Sequence, residues 1–450
     1  MKIAKSLMMM IRHIVSFGLT LIINPSIFIF EKINFSFKFF NKKSKSINLK
    51  LKNFYTEFDN VIKEGLIALM ICAVGSLLAG IILGNMVFFL ETLPGLLIII
   101  PGAIGLRGNI FGSLSSRLNT NLHIGTLSPE FKRSKILNEN IFSSIILTLI
   151  VSLLLAIIAK IICLIFNFES ISLIDFCLIS VISGIISIFI MLPTTMFISL
   201  KSFENGWDPD NITTPFVTAL GDLFTLPSLI LAILIVFFIN NEILKTIILG
   251  ILVLITIVGF IYAILLEGEI KKIMVQSTPI LILSSCIGIF AGGFLNNSTD
   301  SLFKNPAVLA LIPLFSGENG SMLSILAARL SSGLHSGLIE PVLKPQKNTL
   351  YNFAVIFVFG LIIFPFISLL SEFSLSFGGL TSIGLFNTLA IIIISGFIVI
   401  SIMTLVIFYI SSFSVRKGLD PDNIVIPIST SLTDLISTVV FISIAILIIF

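Results

Sequence analysis

Charge is what this chain has least of. Only 11% of its 450 residues are Asp, Glu, Lys or Arg, while 56% are hydrophobic. Mean hydropathy is +1.14, and apolar runs of about 20 residues, long enough to cross a bilayer, occupy most of the sequence after residue 64. That places the chain in a membrane. Cysteine is scarce too. The four present (Cys72, Cys163, Cys177, Cys286) fall in or beside apolar runs and lack metal-ligand spacing, which excludes a disulfide framework and a zinc site.

The little charge there is lies unevenly. Residues 1–64 hold 11 of the 27 Lys and Arg, so this segment reads as a basic cytoplasmic or interfacial tail near anionic headgroups; no nucleic-acid partner is expected. Within it, residues 14–30 follow Lys2, Lys5 and Arg12 but lack a small-residue cleavage site. This stretch is expected to be an interfacial helix, with a spanning helix as the alternative.

What the sequence has in abundance is itself, twice. Gly206-Trp-Asp-Pro-Asp-Asn-Ile-Thr-Thr-Pro-Phe-Val-Thr-Ala-Leu-Gly-Asp222 recurs 212 residues later as Gly418-Leu-Asp-Pro-Asp-Asn-Ile-Val-Ile-Pro-Ile-Ser-Thr-Ser-Leu-Thr-Asp434, with ten of 17 positions identical. The same shift carries Pro101 onto Pro313, Gly108 onto Gly320, Arg117 onto Arg329 and His123 onto His335.

Eleven spanning helices are expected, near 65–90, 93–120, 138–165, 174–200, 212–238, 243–266, 278–295, 303–334, 350–370, 383–410 and 424–449. Loops on one side carry Lys132, Arg133, Lys135, Lys201, Lys271, Lys272, Lys344, Lys347, Arg416 and Lys417. The opposite loops (167–173, 240–242, 296–302, 371–381) carry no Lys or Arg. The positive-inside rule makes the first set cytoplasmic, with the N-terminus inside and the C-terminus outside. Lys160, Lys245 and Lys304 lie in adjoining helix ends, where they can snorkel.

Each copy has five spans, so two copies fused directly would be antiparallel. The run 243–266 has no counterpart under the shift and restores the orientation. The expected fold is therefore an all-α polytopic membrane protein. Its parts are a segment 1–64, a first repeat 65–238, a linking helix within 239–272 and a second repeat 273–450. The two parallel five-helix repeats are related by a pseudo-two-fold axis along the membrane normal, as in parallel-repeat transporters.

Three sets of polar residues stand out. The Asp-Pro-Asp-Asn segments precede the fifth span of each copy, where Asp208, Asp210, Asp420 and Asp422 suit a helix start and a cation-attracting pore mouth. Asp222 and Asp434 lie 14 residues beyond Asp208 and Asp420, about 21 Å along a helix and deep in a ~30 Å core. An acid at that depth is costly and is a functional hypothesis by default. Pro215 and Pro427, seven residues earlier, free backbone carbonyls, and oxygen ligands suit hard cations. The second spans (from Pro101 and Pro313) are rich in glycine and carry Arg107, Asn109, Glu318 and Asn319 at mid-span, which should face protein or water. Arg117 and Arg329 are nearer the cytoplasmic end and can snorkel; His123 and His335 read as structural.

Gly-Asn in a Gly/Pro-rich second span, followed by Asp-Pro…Pro…Asp at the fifth, resembles the transmembrane domain of MgtE-type magnesium transporters. The duplicated single chain with a linking helix is similar to their archaeal and eukaryotic solute-carrier relatives. The resemblance covers about residues 65–450. It implies that Asp222 and Asp434 coordinate hydrated Mg2+ on the pore axis, that the backbone at Thr218 and Thr430 assists, that Asp208 and Asp420 are the motif's opening acids, and that Asn109 belongs to the same site. The second copy departs from the first, with Ser321 opposite Asn109 and Glu318-Asn319 opposite Leu106-Arg107, so the halves are chemically unequal.

The expected function is a non-enzymatic, cofactor-free transporter or channel for divalent cations, Mg2+ foremost, in the cell membrane and complete as a monomer. Its expected partners are the cation and the lipid bilayer. Two alternatives stand beside it. One is a proton-coupled carrier of another solute. The other is an intramembrane aspartyl protease, since Leu220-Gly221-Asp222 resembles part of a Gly-x-Gly-Asp motif; Ala219, Leu-Thr-Asp434 and the lack of a Tyr-Asp partner oppose it.

The charge pattern generates a direct check on topology. A single cysteine introduced by Ser374→Cys is expected to react with an impermeant thiol reagent from outside, and one introduced by Gln346→Cys only after permeabilisation. Both reacting from the same side would overturn the topology.

Overall fold

The computed structural model describes residues 44–128, 134–206, 209–266, 268–297, 306–377 and 382–449. The expected interfacial helix at 14–30 lies outside them. The chain divides into Met1–Lys63 and Glu64–Phe450. The described part of the first unit, residues 44–63, is helical.

Twelve helices account for the described chain: α1 (Ser44–Asn85), α2 (Val87–Thr92), α3 (Leu96–Ile124), α4 (Lys135–Ile165), α5 (Leu173–Glu204), α6 (Pro209–Phe238), α7 (Glu242–Leu265), α8 (Glu269–Asn297), α9 (Pro306–His335), α10 (Lys347–Phe377), α11 (Leu385–Arg416) and α12 (Pro421–Ile449). All but the short α2 hold a stretch long and apolar enough to cross a membrane, giving eleven spans as expected. The ends differ from the sequence reading where polar residues extend a helix past the hydrocarbon. The eighth helix begins at Glu269 rather than near 278, because Glu269 sits favourably in the first turn and Pro279 is carried inside the helix.

Hydropathy and burial run in opposite senses. The linking helix α7 is the most apolar span, yet only 11% of its most apolar stretch is buried. In α9, the least apolar, the whole of that stretch is buried. Lipid solvates Leu and Ile as well as protein does, so apolar side chains need no partner; groups that lipid rejects must be wrapped by protein. The glycine- and serine-rich α3 and α9 therefore form the centre, and α7 packs on the outside against α4, α5 and α8.

The repeats exchange helices. The first helix of the second repeat, α8, packs on α3 and α4 of the first. The first helix of the first repeat does the converse. A Cβ at Gly80 of α1 would strike the carbonyl of Ala310 in α9, and one at Gly65 would strike the Phe359 ring of α10. The two contacts at the centre are the same contact: Gly292 of α8 meets the carbonyl of Ile98 in α3, and both members lie 212 residues from Gly80 and Ala310. The fifth helices cross over as well, α6 onto α9 and α12 onto α3.

Polar ties repeat in the same way. Arg117 Nε donates to Asn140 Oδ1 at 2.7 Å, and Arg329 Nε to Asn352 Oδ1 at 2.8 Å. Arg117 is only 6% exposed. The snorkelling expected of these arginines is therefore replaced by a buried tie between the second and third spans, since an amide one helix away offers what water would. Lys160 and Lys245 are also satisfied by protein. Lys160 Nζ donates to Ser170 Oγ and to the Ile171 carbonyl, each at 2.8 Å. Lys245 Nζ lies 2.8 Å from Asp175 Oδ1 and 3.0 Å from Glu242 Oε1.

The exchanged contacts set a test of packing. Gly292 and Gly293 are neighbours, but a Cβ at Gly292 meets Ile98 backbone while one at Gly293 meets nothing within 4 Å. Gly292→Ala is expected to destabilise the bundle by about 1–3 kcal/mol. Gly293→Ala should be neutral or stabilising by up to about 1 kcal/mol, the helix-propensity gain. Thermal unfolding of both variants in detergent checks the contrast.

Candidate functional site

The site begins with the two Asp-Pro segments. Gly206 and Gly418 adopt φ of +74° and +70°, a left-handed turn that costs a residue with a Cβ but not glycine. Pro209 and Pro421 then open α6 and α12; proline suits a first helical position because its missing N–H needs no partner there. Asp208 lies outside the described residues. Asp420 has its carboxylate 3.2 Å from Lys272 Nζ and 3.3 Å from His335 Nε2, and its backbone N–H donates to Gln276 Oε1 at 3.4 Å. It ties the starts of α8 and α12 to the end of α9. His335 thus has the structural role expected, and His123 makes an edge contact with Phe203 at 5.8 Å between ring centres.

Deeper along the same helices, Asp222 and Asp434 are each half-buried. Each faces a glycine of the opposite repeat. A Cβ at Gly105 would lie 3.4 Å from Asp434 Oδ2, and one at Gly317 would lie 2.8 Å from Asp222 Oδ2. Gly105 and Gly317 are related by the 212 shift, as are the two acids. The central helices thus approach the carboxylates through positions without side chains. Gly221, beside Asp222, sits against the backbone of Gly108, and a Cβ on it would lie 3.0 Å from the Gly108 nitrogen.

Asn109 joins the halves. It is 1% exposed; its Nδ2 donates to Ser431 Oγ at 2.8 Å, and its Oδ1 accepts from the Thr430 hydroxyl. Thr430 Oγ1 also reaches the Ile426 carbonyl at 2.8 Å, the turn next to Pro427. Thr218 is buried, 6% exposed, with its methyl towards Gly108. Asn109, Thr430, Asp434, Asp222 and Thr218 are thus brought to neighbouring turns of α3, α6 and α12, while Asp420 sits elsewhere, at the end of the bundle.

The equivalence stops at the hydrogen bonds. Ser316 Oγ donates to Asp434 Oδ1 at 2.8 Å; the equivalent residue beside Asp222 is Ile104. Gly105 and Gly317 stand out in the sequence only as small residues that permit close helix contact, and Ser316 does not stand out at all. The signal for them is visible only once each acid is known to face across the repeats. Arg107, opposite Asn319 in the repeat, points away from the acids. Its guanidinium donates to the Ala103 and Ser180 carbonyls at 3.2 and 3.3 Å and to Ser183 Oγ at 3.2 Å.

Among the described residues, no group of three His, Cys, Asp or Glu could hold a metal ion. Two carboxylates, hydroxyls and carbonyls are a sparse donor set. It suits a cation that keeps much of its water.

The model of the MgtE family, described as divalent cation transporter, matches residues 100–232 and again 312–444. The two matches are offset by the same 212 residues, contain both Asp-Pro segments and both deep acids, and together span more than half of the chain. The chain belongs to the MgtE family. It is also 26% identical over 405 residues to solute carrier family 41 member 3 of Rattus norvegicus, covering 83% of this chain and 84% of that one. The mouse protein of that name is 27% identical over 83% of this chain and 79% of its own. Solute carrier family 41 member 2 of Homo sapiens is 26% identical, over 76% of this chain and 62% of its own. No solved structure matches the chain. This MgtE-family protein is therefore a multi-pass membrane protein of a divalent cation transporter family, built from two copies of the matched domain.

Inequality of the copies gives the test here. Asn109→Ala removes two cross-repeat hydrogen bonds, each worth about 0.5–1.5 kcal/mol net, and leaves the Thr430 hydroxyl only its own helix's carbonyls. Ser321→Ala removes a hydroxyl alone. Transport is expected to fall severalfold more in the first variant than in the second; equal loss would reduce position 109 to a packing site.

Proposed function

We propose that the protein conducts divalent cations, Mg2+ foremost, along a path on the pseudo-two-fold axis between its repeats, with that axis along the membrane normal. Asp222 and Asp434 are the carboxylates that meet the ion. The observation that carries this is their pairing: two acids at equivalent positions of the two repeats, each half-buried and each facing a glycine of the other repeat.

Two such carboxylates repel each other when the path is empty. A divalent cation between them removes that repulsion and supplies the charge that hydrocarbon cannot. Mg2+ sheds water reluctantly and binds through one or two carboxylates while keeping several waters, which is the arrangement that two acids on either side of a path offer. The backbone at Thr218 and Thr430, one turn before each acid, adds oxygens to the same path. Asn109 fixes α12 against α3 so that the acids hold their spacing. Asp208 and Asp420 belong to the cytoplasmic mouth, where negative charge concentrates cations. The repeats 65–238 and 273–450 make one complete path, so a single chain is the functional unit. Its N-terminus faces the cytoplasm and its C-terminus the outside, by the distribution of Lys and Arg.

Charge removal tests the reading. Asp222→Asn and Asp434→Asn keep shape and delete half the site's charge. Each is expected to cut Mg2+ uptake into proteoliposomes by tenfold or more, about 1.4 kcal/mol or greater, with normal monodispersity; the double variant should be close to inactive. Acidifying the external solution should inhibit the wild type, because protons compete for the same oxygens. Wild-type flux through the folded double variant would falsify the assignment.

A further inference from the structure

The two acids sit at equivalent positions, but their oxygens are not equally free. Asp434 is divided between two helices. Its Oδ1 accepts a hydrogen bond from Ser316 Oγ at 2.8 Å and lies 3.9 Å from where a Cβ on Gly320 would stand. Ser316 and Gly320 are one turn apart on α9, so this oxygen faces α9 of its own repeat. Oδ2 is turned to the other repeat, 3.4 Å from a Cβ at Gly105 of α3. One oxygen is held and the other is left to the path.

Asp222 lacks the equivalent hydroxyl. Under the 212 shift Ser316 corresponds to Ile104, whose side chain has no donor. Asp222 Oδ2 meets Gly317 as Asp434 Oδ2 meets Gly105, so the backbone approach is shared and the hydroxyl is not. Ser76 Oγ comes close, at 2.6 Å from the Cβ position of Gly317 where Asp222 Oδ2 is at 2.8 Å. It nevertheless makes no hydrogen bond, so it does not hold this acid.

The difference bears on which ion fits. A carboxylate meets a cation through one oxygen or through both. Ca2+ accepts both, because its coordination shell is large and flexible, whereas Mg2+ demands a near-ideal octahedron. The two oxygens of one carboxylate are too close together to take two corners of an octahedron. To chelate an ion, Asp434 would have to turn Oδ1 away from Ser316 and give up a hydrogen bond strengthened by its charge. We propose that Ser316 is a positioning residue that sets ion specificity: by holding Asp434 Oδ1 it leaves a single oxygen for the ion, and so favours Mg2+ over Ca2+. Ser316 does not touch the ion and acts only through Asp434. Asp434 is the fixed contact of the path, and Asp222 is the one that adapts.

The inference rests on the cation path proposed above, and ion competition separates the two. Mg2+ uptake into proteoliposomes is measured at rising external Ca2+. The readout is the Ca2+ concentration for half-inhibition divided by the Mg2+ concentration for half-saturation. Ser316→Ala is expected to lower this ratio about tenfold, the loss of one hydrogen bond to a charged group, while still carrying Mg2+. Ser316→Thr keeps a hydroxyl and should keep the ratio. Ile104→Ser puts a hydroxyl at the equivalent position beside Asp222 and should raise it; this variant serves if Ser316→Ala is not monodisperse. An unchanged ratio in folded Ser316→Ala, an equal fall in the Ala and Thr variants, or, where Ser316→Ala fails to fold, an unchanged ratio in Ile104→Ser would overturn the inference and leave the cation path standing. Absence of any Mg2+ uptake by the wild type would remove the cation path and the inference with it.

Discussion

A membrane offers a carboxylate nothing. Within hydrocarbon there is no water to solvate Asp222, Asp434 or Glu318, so the protein must supply polarity or exclude lipid around each. That constraint orders the bundle. The helices that carry or touch the acids are α3, α6, α9 and α12; each holds proline, and the glycine- and serine-rich α3 and α9 are the most buried. Helices with nothing to hide, α7 above all, are left to the lipid. In a soluble protein the same hydropathy pattern would be inverted.

Close approach follows from the same need. The backbone at Gly317 comes so near Asp222 that a side chain would press on it, a Cβ at Gly105 would be in contact with Asp434, and Gly102 meets Gly288 backbone to backbone. Contacts of this kind replace the hydrophobic effect, which is absent between helices already in an apolar solvent. They also make the site rigid. A carboxylate against a glycine backbone has few other places to go, and Asn109 bonds two successive residues of α12.

Much of this was legible in the sequence, and the reasons are specific. Eleven spans could be read because a run of some 20 apolar residues has almost no other use. The duplication was legible because one motif keeps ten identities at a fixed offset. Asp222, Asp434 and Asn109 stood out as polar residues at depth. What stayed hidden depended on which helices meet. Nothing in the order of residues says that Gly317 faces Asp222 rather than Asp434, or that Ser316 bonds the acid of its own repeat. Arg117 and Arg329 looked free to reach water because Asn140 and Asn352 lie one helix away. Nor does the order of residues say that Asp420 lies beside Lys272 and His335.

The exchange of first helices has a consequence for how the protein is made. Gly80 of α1 finds its contact at Ala310 of α9, and at a synthesis rate of about 5–20 residues per second the chain between them takes some ten seconds or more to appear. For that interval α1 sits in lipid with its small-residue face uncovered. The first repeat cannot close either, because the place beside α3 belongs to α8. Neither half is a folding unit, and the bundle assembles only when the second repeat has entered the membrane. The linking helix, bare of contacts on most of its surface, is then the part that brings the late half to the early one, holding it at high local concentration until the two interlock.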